Sequence, residues 1–553
     1  MKKVLSVILS LVMVLSCIPF FVSAADETFT ATVATDLHHS YSRYLGTVPN
    51  YDDPWEHIAS GGKMTYESHA ILEAFLADIA KEDTDFLILC GDLSDSGSYE
   101  ESAYMAARLL QFEQDTGKTV FVCMGNHEGY KITASEFKTI YAGLGYDKAI
   151  AIDPNSASYV ADLKGNYRVL FIDTINYTES EAGMSDEKMA FVEEQALKAK
   201  ADGKTLITVT HHNLIDHFLL HSDIFDTNVV QEQWELPDKL IEWGVTLNFS
   251  GHTHEMDIAK YSTDNGTIYD CVTSSLTTAP CGYRYVTFGK NTVDIQSEYV
   301  EKIDTSLLPA GMPQEALDLI STDFNAYKAK AFKVGCDAFP KSYLTTSRII
   351  SLLKIDDESG EAAAVLDKIM PKLYEILYAP LYGEGSVSEM ADELGLIIPE
   401  SDYNTMLEAT VAAYMAHVYG NEDLPGYSPE VRIFVDGLAV AVNYALADVS
   451  AEDFTKIITI LLEKLGYADK VPSFVAEITG EGVDRLYGIE CFLTLYKPVF
   501  EVYTVDSYPD DLTYTVNLSG EEEVTISSIF AFLKKIWYKF LSIFQVLKET
   551  FKF

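Results

Sequence analysis

Basic residues are scarce in this 553-residue chain, where 40 Lys and Arg stand against 84 Asp and Glu for a formal net charge of −44. A surface this acidic repels the phosphates of DNA and RNA unless a local cation overrides it, so no nucleic-acid partner is expected. Cysteine is sparse as well. After Cys17 come Cys90, Cys123, Cys271, Cys281, Cys336 and Cys491, too scattered in so long a chain for a disulfide framework. Cys90 and Cys123 lie in apolar runs and read as buried small hydrophobes, while a Cys271 to Cys281 pair is neither required nor forbidden by spacing. Internal repeats and low-complexity tracts are missing, and 48% hydrophobic residues do not force disorder. The chain can bury a large core. Its length suits about two to four domains, or one large α/β unit with a smaller partner.

At the N-terminus, Lys2 and Lys3 precede an apolar run over residues 4–15, and Val22-Ser23-Ala24 offers a small-residue cleavage pattern. Residues 1–24 therefore read as a secretory signal peptide, and the protein as secreted or cell-envelope associated. The run is short for a spanning helix. Cys17 leaves a lipoprotein alternative, against which residues 18–22 are apolar where a tethered mature start is usually polar.

Between residues 28 and 304, short apolar runs alternate with amphipathic stretches. Residues 30–35, 85–90, 119–124, 168–173, 205–210 and 245–250 are rich in Val, Ile, Leu and Phe and read as buried strands. Residues 64–80, 99–116, 187–201 and 236–243 carry helical periodicity, which together predicts an α/β layered domain. Lys164-Gly165-Asn166 and Gly289-Lys290-Asn291 sit between strand-like runs as hairpin turns, so the sheets are not purely parallel. Beyond Pro309 the texture becomes helical, at 316–332, 361–378, 404–418, 431–446, 454–465 and 483–496, and reads as a separate region. Residues 498–518 then have β character.

The last stretch, 526–553, places Ile529, Phe530, Leu533, Trp537, Phe540, Leu541 and Phe544 at helical spacing, with Lys534, Lys535, Lys539, Lys548 and Lys552 on much of the other side. Five lysines less Glu549 leave +4 on this acidic protein. The stretch reads either as a helix docked on its own acidic domain or as an interfacial helix on anionic membrane or envelope polymer.

Five short signals follow one another, each at or just beyond the end of an expected strand: Asp36-Leu37-His38, Gly91-Asp92-Leu93-Ser94-Asp95, Gly125-Asn126-His127-Glu128, His211 in Thr210-His211-His212-Asn213, and Gly251-His252-Thr253-His254. Ligands bind at the carboxyl ends of strands in open α/β sheets, so the shared placement points to one site. The set offers imidazoles, two carboxylates and an amide oxygen without a thiolate, a donor chemistry suited to Mn, Fe, Zn or Co and numerous enough for two ions. In an extended segment, residues two apart project to one side, so Asp36 with His38, and His252 with His254, can reach into one cavity. Two ions bridged by a carboxylate and a hydroxide are a recurrent device for hydrolysing phosphoesters.

These five motifs, in this order, closely resemble the calcineurin-like metallophosphoesterase family, whose pattern is DxH, GDxxD/N, GNHE/D, a strand-terminal H and GHxH. The resemblance covers about residues 28–304 and implies a four-layer αββα sandwich, placed as a domain at 25–305; the residue pattern beyond it places a mostly helical C-terminal domain at 306–520 with a short β-like end, and the tail helix at 526–553. The resemblance also implies Asp36, His38 and His254 on one metal, Asn126, His211 and His252 on the second, Asp92 bridging both, and His127 assisting the leaving group. Glu128 would orient the His127 imidazole, and Asp95, where an Asn is common, would support the site from behind.

Several features depart from the family pattern. Asn213 stands two after His211 where a proline is frequent, and adjacent His212 makes the choice of His211 a matter of alignment. Residues 40–61 lengthen the first gap, and Tyr41, Tyr44, Tyr51 and Trp55 can either wall the site or pack on the domain surface. Purple acid phosphatases use DxG and GDxxY, whereas His38 and Asp95 stand here. A helical extension also occurs in acid-sphingomyelinase-like enzymes, which keeps lipid phosphodiesters in view. The implied function is hydrolysis of phosphomonoesters or phosphodiesters, small or membrane-presented, by a hydroxide bridging two metal ions. The alternative is a surface binding protein that keeps the fold without turnover. His39, His57, His69, His217, His221 and His417 read as packed or solvated histidines without a metal role.

Overall fold

The computed structural model describes residues 28–177, 181–217, 228–230, 235–337, 345–352, 360–421, 428–446 and 510–518, together with residues 221, 340 and 424. The expected signal peptide, the expected helices at 454–465 and 483–496, Cys491 and the cationic tail lie outside these residues.

Strands form where β-branched and aromatic residues run between turn residues. In chain order they are β1 (Phe29–Ala34), β2 (Phe86–Leu89), β3 (Thr119–Val122), β4 (Ala149–Ile152), β5 (Tyr159–Asp162), β6 (Tyr167–Phe171), β7 (Ile175–Asn176), β8 (Glu181–Ala182), β9 (Thr205–Val209), β10 (Leu247–Ser250), β11 (Asp257–Thr263), β12 (Gly266–Val272), β13 (Gly282–Phe288), β14 (Thr292–Tyr299) and β15 (Thr513–Asn517). One sheet has the order β15-β14-β13-β1-β2-β3 and a second the order β11-β12-β10-β9-β6-β5-β4. Within them β1, β2 and β3 run parallel, as do β6, β9, β10 and β12. The hairpins β5-β6 and β13-β14 turn at the two expected Gly-containing sites.

The sheets pack face to face through aromatic side chains. Phe29 of β1 stacks on Phe288 at 4.7 Å and meets Tyr167 of β6 edge-on at 5.3 Å, while Phe121 of β3 stacks on Phe171 of β6 at 5.7 Å. Helices Ser68–Ile79 and Tyr99–Thr116 cover the first sheet, burying Phe75, Leu76, Leu109 and Phe112. Helices Asp186–Ala201 and Leu236–Trp243 cover the second, with Val192, Ala196 and Leu240 against Val160, Leu170 and Ile268. The result is an αββα sandwich followed by a helical region. Local chemistry sets the helix ends: Ser98 accepts from the Glu101 amide at the start of Tyr99–Thr116, and Gly117 ends it in a left-handed conformation, φ 72°.

The helical region begins inside the sandwich core. The expected helix at 316–332 is two helices, Gln314–Thr322 and Phe324–Asp337, broken at Asp323, whose backbone is extended and whose carboxylate accepts from the Ala326 amide. Ala316, Ile320, Phe324, Tyr327 and Ala331 from this pair join the core between the layers. A second core around Ile376, Met406, Ile433 and Val440 lies farther along the chain. Phe332, Cys336, Leu407, Val411 and Val418 close the contact between helices and sandwich against Ala279. The β-like end expected within the helical domain is strand β15, which pairs antiparallel with β14 as the edge of the first sheet and buries Val516. Cys90, Cys123, Cys271, Cys281 and Cys336 are buried free thiols, so Cys271 and Cys281 are not bonded. No helix among the described residues is long and apolar enough to cross a membrane.

Candidate functional site

Parallel strands β1, β2 and β3 of one sheet and β9 and β10 of the other deliver their carboxyl ends to one edge of the sandwich. The ladders continue past the strand ends: the Asp36 amide donates to the Gly91 carbonyl and the His38 amide to the Asp92 carbonyl, both at 3.0 Å, and the Gly251 amide to the His211 carbonyl at 3.0 Å. The side chains are not aimed by strand alternation. Asp36, His38, Asp92, His252 and His254 all have positive φ, between 39° and 72°, which turns each of them out of the pleat toward a common point. A left-handed backbone costs such residues on the order of 1 kcal/mol or more each, and such strain clusters at functional sites. The glycines of the motifs make room for this crowding. A Cβ on Gly125 would lie 2.2 Å from the Asp92 amide nitrogen and carboxylate, and one on Gly251 would lie 2.0 Å from Thr35 Oγ1 and 2.6 Å from Asp36 Oδ2.

Seven donor side chains converge. On one side, His254 Nε2 is 3.1 Å from His38 Nε2 and 3.2 Å from Asp36 Oδ1. On the other, Asn126 Oδ1 is 2.8 Å from His211 Nε2 and 3.0 Å from His252 Nδ1. Asp92 lies between, its Oδ2 at 3.4 Å from His211 Nε2 and 3.9 Å from His38 Nε2. Asp36, His38 and His254 lie close enough together to hold one metal ion, and Asp36, Asp92 and His211 form another such group. Backbone bonds fix the carboxylates: the His252 amide donates to Asp36 Oδ2 at 2.9 Å and the His127 amide to Asp92 Oδ1 at 2.8 Å. The Ser275 hydroxyl donates to the Asp36 carbonyl, a supporting role for the segment after the last motif.

The donor set fits cations. Two imidazole nitrogens at 3.1 Å can share only one proton, whereas a cation between them satisfies both and Asp36 as well. The other ring nitrogen of His211, Nδ1, donates to the Cys90 carbonyl, which leaves Nε2 facing two oxygen acceptors. Burial would depress the His211 pKa, but the neighbouring Asp92 carboxylate lifts it to about 9, so the surroundings of this ring favour positive charge. Burial alone would raise Asp36 and Asp92; the histidines around them outweigh it and hold both well below the usual carboxylate range. Burial, first, and neighbouring positive charge push His38 down and His252 to about 3, leaving neutral rings with lone pairs to give.

Residues 29–256, which contain every one of these side chains, match the model of the family described as calcineurin-like phosphoesterase. The chain carries a calcineurin-like phosphoesterase domain. No curated protein matches the chain in sequence. Among solved structures, the chain is similar to a dimetal phosphatase from Danio rerio at 11% identity and a TM-score of 0.38, over 49% of this chain and 96% of that one. It is similar to purple acid phosphatase PPD1 from yellow lupin at 15% identity and a TM-score of 0.32, over 50% of this chain and 52% of that one. Phosphopantetheinyl hydrolase from Mycobacterium tuberculosis is similar at 12% identity and a TM-score of 0.25, over 44% of this chain and 89% of that one.

The rim of the phosphoesterase domain departs from the expected roles. His127 Nδ1 is held by the Asp95 main-chain carbonyl, and its Nε2 faces Asp92 Oδ2 at 3.8 Å. Glu128 does not orient that ring. Its carboxylate accepts from the Ser94 amide and hydroxyl, both at 2.9 Å, and from the Gly125 amide at 3.1 Å, tying the second motif to the third. The Asp95 carboxylate lies 3.6 Å from His38 Nδ1. His211, not His212, reaches the site; His212 bonds Thr174 through Nδ1 at 2.9 Å and packs behind His252 at 4.4 Å between rings.

The inserted aromatics pack instead of walling the site. Tyr44 stacks on His69, Tyr41 stacks on Tyr104, and Trp55 is buried against Tyr327 with its indole donating to Glu315. His217 anchors a buried network below the second sheet, bonded to Asp257 through Nδ1 and to Asp270 through Nε2. Two polar neighbours of the site belong to no motif: Asn228, whose Oδ1 is 3.0 Å from His252 Nε2, and Lys63, whose Nζ is 3.5 Å from His127 Nε2. The spacing of Lys63 from His127 carries no periodic or motif signal; only the fold brings the two together.

Proposed function

We propose that this protein is a dinuclear-metal phosphoesterase. Asp36, His38 and His254 hold one ion, Asn126, His211 and His252 hold the other, and Asp92 lies between them as the shared ligand. The observation that carries this reading is the convergence of seven donor atoms on two adjoining points, with Asp92 Oδ2 reaching both the His211 and the His38 side. Bound cations of the Mn, Fe, Zn or Co type supply an ionised water near neutral pH and draw electrons from the ester phosphorus. The protein's part is positional. The amides of His127 and His252 keep the carboxylates from rotating, the Cys90 carbonyl fixes the His211 tautomer, and the Asp95 carbonyl holds a proton on His127 Nδ1. His127 thus turns Nε2 to the cavity rim, where, once that nitrogen also carries a proton and the ring is an imidazolium, it can hand the proton to a departing alkoxide. The substrates are small or membrane-presented phosphate esters, met outside the cell or at its envelope.

The test is hydrolysis of a chromogenic phosphomonoester and phosphodiester by Mn-loaded protein, paired with Asp92→Ala. The reading expects turnover of at least one ester and a loss of at least about 100-fold in the variant. Loaded protein silent on both esters, or a variant equal to wild type, would sink it.

A further inference from the structure

Lys63 is a partly buried cation in a protein with few of them, and it stands beside the residue proposed to protonate the leaving group. Its Nζ lies 3.5 Å from His127 Nε2 and 3.7 Å from Asp95 Oδ1, and its side chain is 21% exposed. An ammonium next to an imidazole nitrogen is costly to desolvate unless an anion joins it. The Asp95 carboxylate offsets part of that charge as an ion pair but lies beyond hydrogen-bond distance, so the ammonium keeps donors to spare for a guest.

The segment presenting Lys63 is built for rigidity. It follows the insertion at residues 40–61 and is gripped by the helical region, where Gly62 and Gly335 meet backbone to backbone. A Cβ on Gly335 would fall 2.0 Å from the Gly62 nitrogen, and one on Gly62 would fall 2.7 Å from Phe332 Cα. On either side of Lys63, the Met64 amide donates to the Thr277 carbonyl at 2.9 Å and the Ala59 amide to the Lys63 carbonyl at 3.0 Å. Such a support fixes the backbone from which the Lys63 side chain reaches the site before substrate arrives.

We infer that Lys63 is a specificity-determining residue that binds a non-bridging phosphoryl oxygen of the substrate beside His127, favouring phosphomonoesters over phosphodiesters. The inference rests on the phosphoesterase reading and names the substrate class of that same site. A monoester carries close to two negative charges at neutral pH and offers an oxygen to Lys63 as well as to the metals. A diester carries one charge, and its second substituent occupies the position of that oxygen. Lys63 thereby connects the helical region to substrate choice: helix Phe324–Asp337 supports the turn, the turn places the ammonium, and the ammonium reads the charge.

The experiment compares wild type, Lys63→Gln and Lys63→Arg, all Mn-loaded, on nitrophenyl phosphate and bis-nitrophenyl phosphate. It also measures inorganic phosphate binding by calorimetry, with metal content and thermal midpoint as controls. Loss of one charged hydrogen bond predicts that Lys63→Gln lowers the monoester-to-diester ratio of kcat/KM by about 10- to 100-fold, weakens phosphate binding comparably, and leaves metal content unchanged. Lys63→Arg restores most of both. Equal losses on the two esters, or unchanged phosphate binding, would overturn the inference. Should wild type hydrolyse neither ester, the phosphoesterase reading fails, and phosphate binding alone still decides whether Lys63 holds an anion.

Discussion

Asp36, His38, Asp92, His252 and His254 share an unfavourable backbone conformation, and it persists because their neighbours leave no alternative. The glycines beside them are therefore as sensitive as the ligands. Gly125→Ala would drive a methyl into Asp92, and we expect it to cost about 1–3 kcal/mol of stability and to lower bound metal, read by urea unfolding and elemental analysis. A second prediction concerns His217. Burial pulls its pKa down, but Asp257 and Asp270 raise it from 6.5 to about 10, and Asp257 in turn falls from 3.8 to about 2 through His217 despite its burial. The His217 contribution to stability is fully present below 6.5 and is lost as pH rises through about 10. The Asp257 contribution is present above 3.8 and is lost as pH falls through about 2. The stability difference between wild type and His217→Gln should peak between about pH 4 and 6.5 and shrink toward pH 10; a difference independent of pH would contradict the ion pair. At this scale the convergent residues were legible because residue type and order carry chemistry. Glu128 was misread because adjacency in the chain does not say which group a carboxylate faces, and Lys63 was missed because a lone lysine in an insertion has no pattern.

At the scale of elements, local signals worked where both ends of an element are chemically marked. Helix Tyr99–Thr116 has Ser98 before it and Gly117 after it and appears as expected, as does Leu236–Trp243 with Gly244 beyond. The break at Asp323 is also local, an aspartate capping the following helix, but the apolar periodicity on both sides concealed it. Strand β15 is different in kind. Its β character was visible, yet its partner was not, since the contact joins Thr515 to Asp294 across 221 positions. The buried Arg284 guanidinium donates to the Asp511 and Val272 carbonyls and to Ser297, so this late segment helps hold the sandwich edge. Val516→Ala should then destabilise the αββα sandwich, not just the distal helices, by about 1–3 kcal/mol in urea unfolding followed at that domain. An unchanged midpoint would show that β15 is dispensable.

For the whole molecule, the charge of −44 and the proposed metal centre oppose each other. The acidic surface slows the approach of anions at long range, whereas the two proposed cations and Lys63 would attract phosphate at short range. Salt screens the first effect far more than the second, because the Debye length falls from about 30 Å at 0.01 M to about 8 Å at 0.15 M. The value of kcat/KM for a small anionic ester should therefore rise with ionic strength over this range, opposite to the behaviour of an enzyme that steers its substrate electrostatically; a falling profile would mean that a local positive field dominates. The layered α/β architecture and the helical half were both legible from texture alone, but their union was not. Helices Gln314–Thr322 and Phe324–Asp337 share the sandwich core, and that contact is set by shape at Gly62 and Gly335, which no one-dimensional pattern encodes. The central claim, that two cations sharing Asp92 drive phosphoester hydrolysis, is tested most directly by titrating Mn into metal-stripped protein while following hydrolysis of a chromogenic phosphate ester. Activity should climb to a plateau at two ions per chain and stay absent in Asp92→Ala, whereas a plateau at one ion, or activity that ignores the metal, would contradict it.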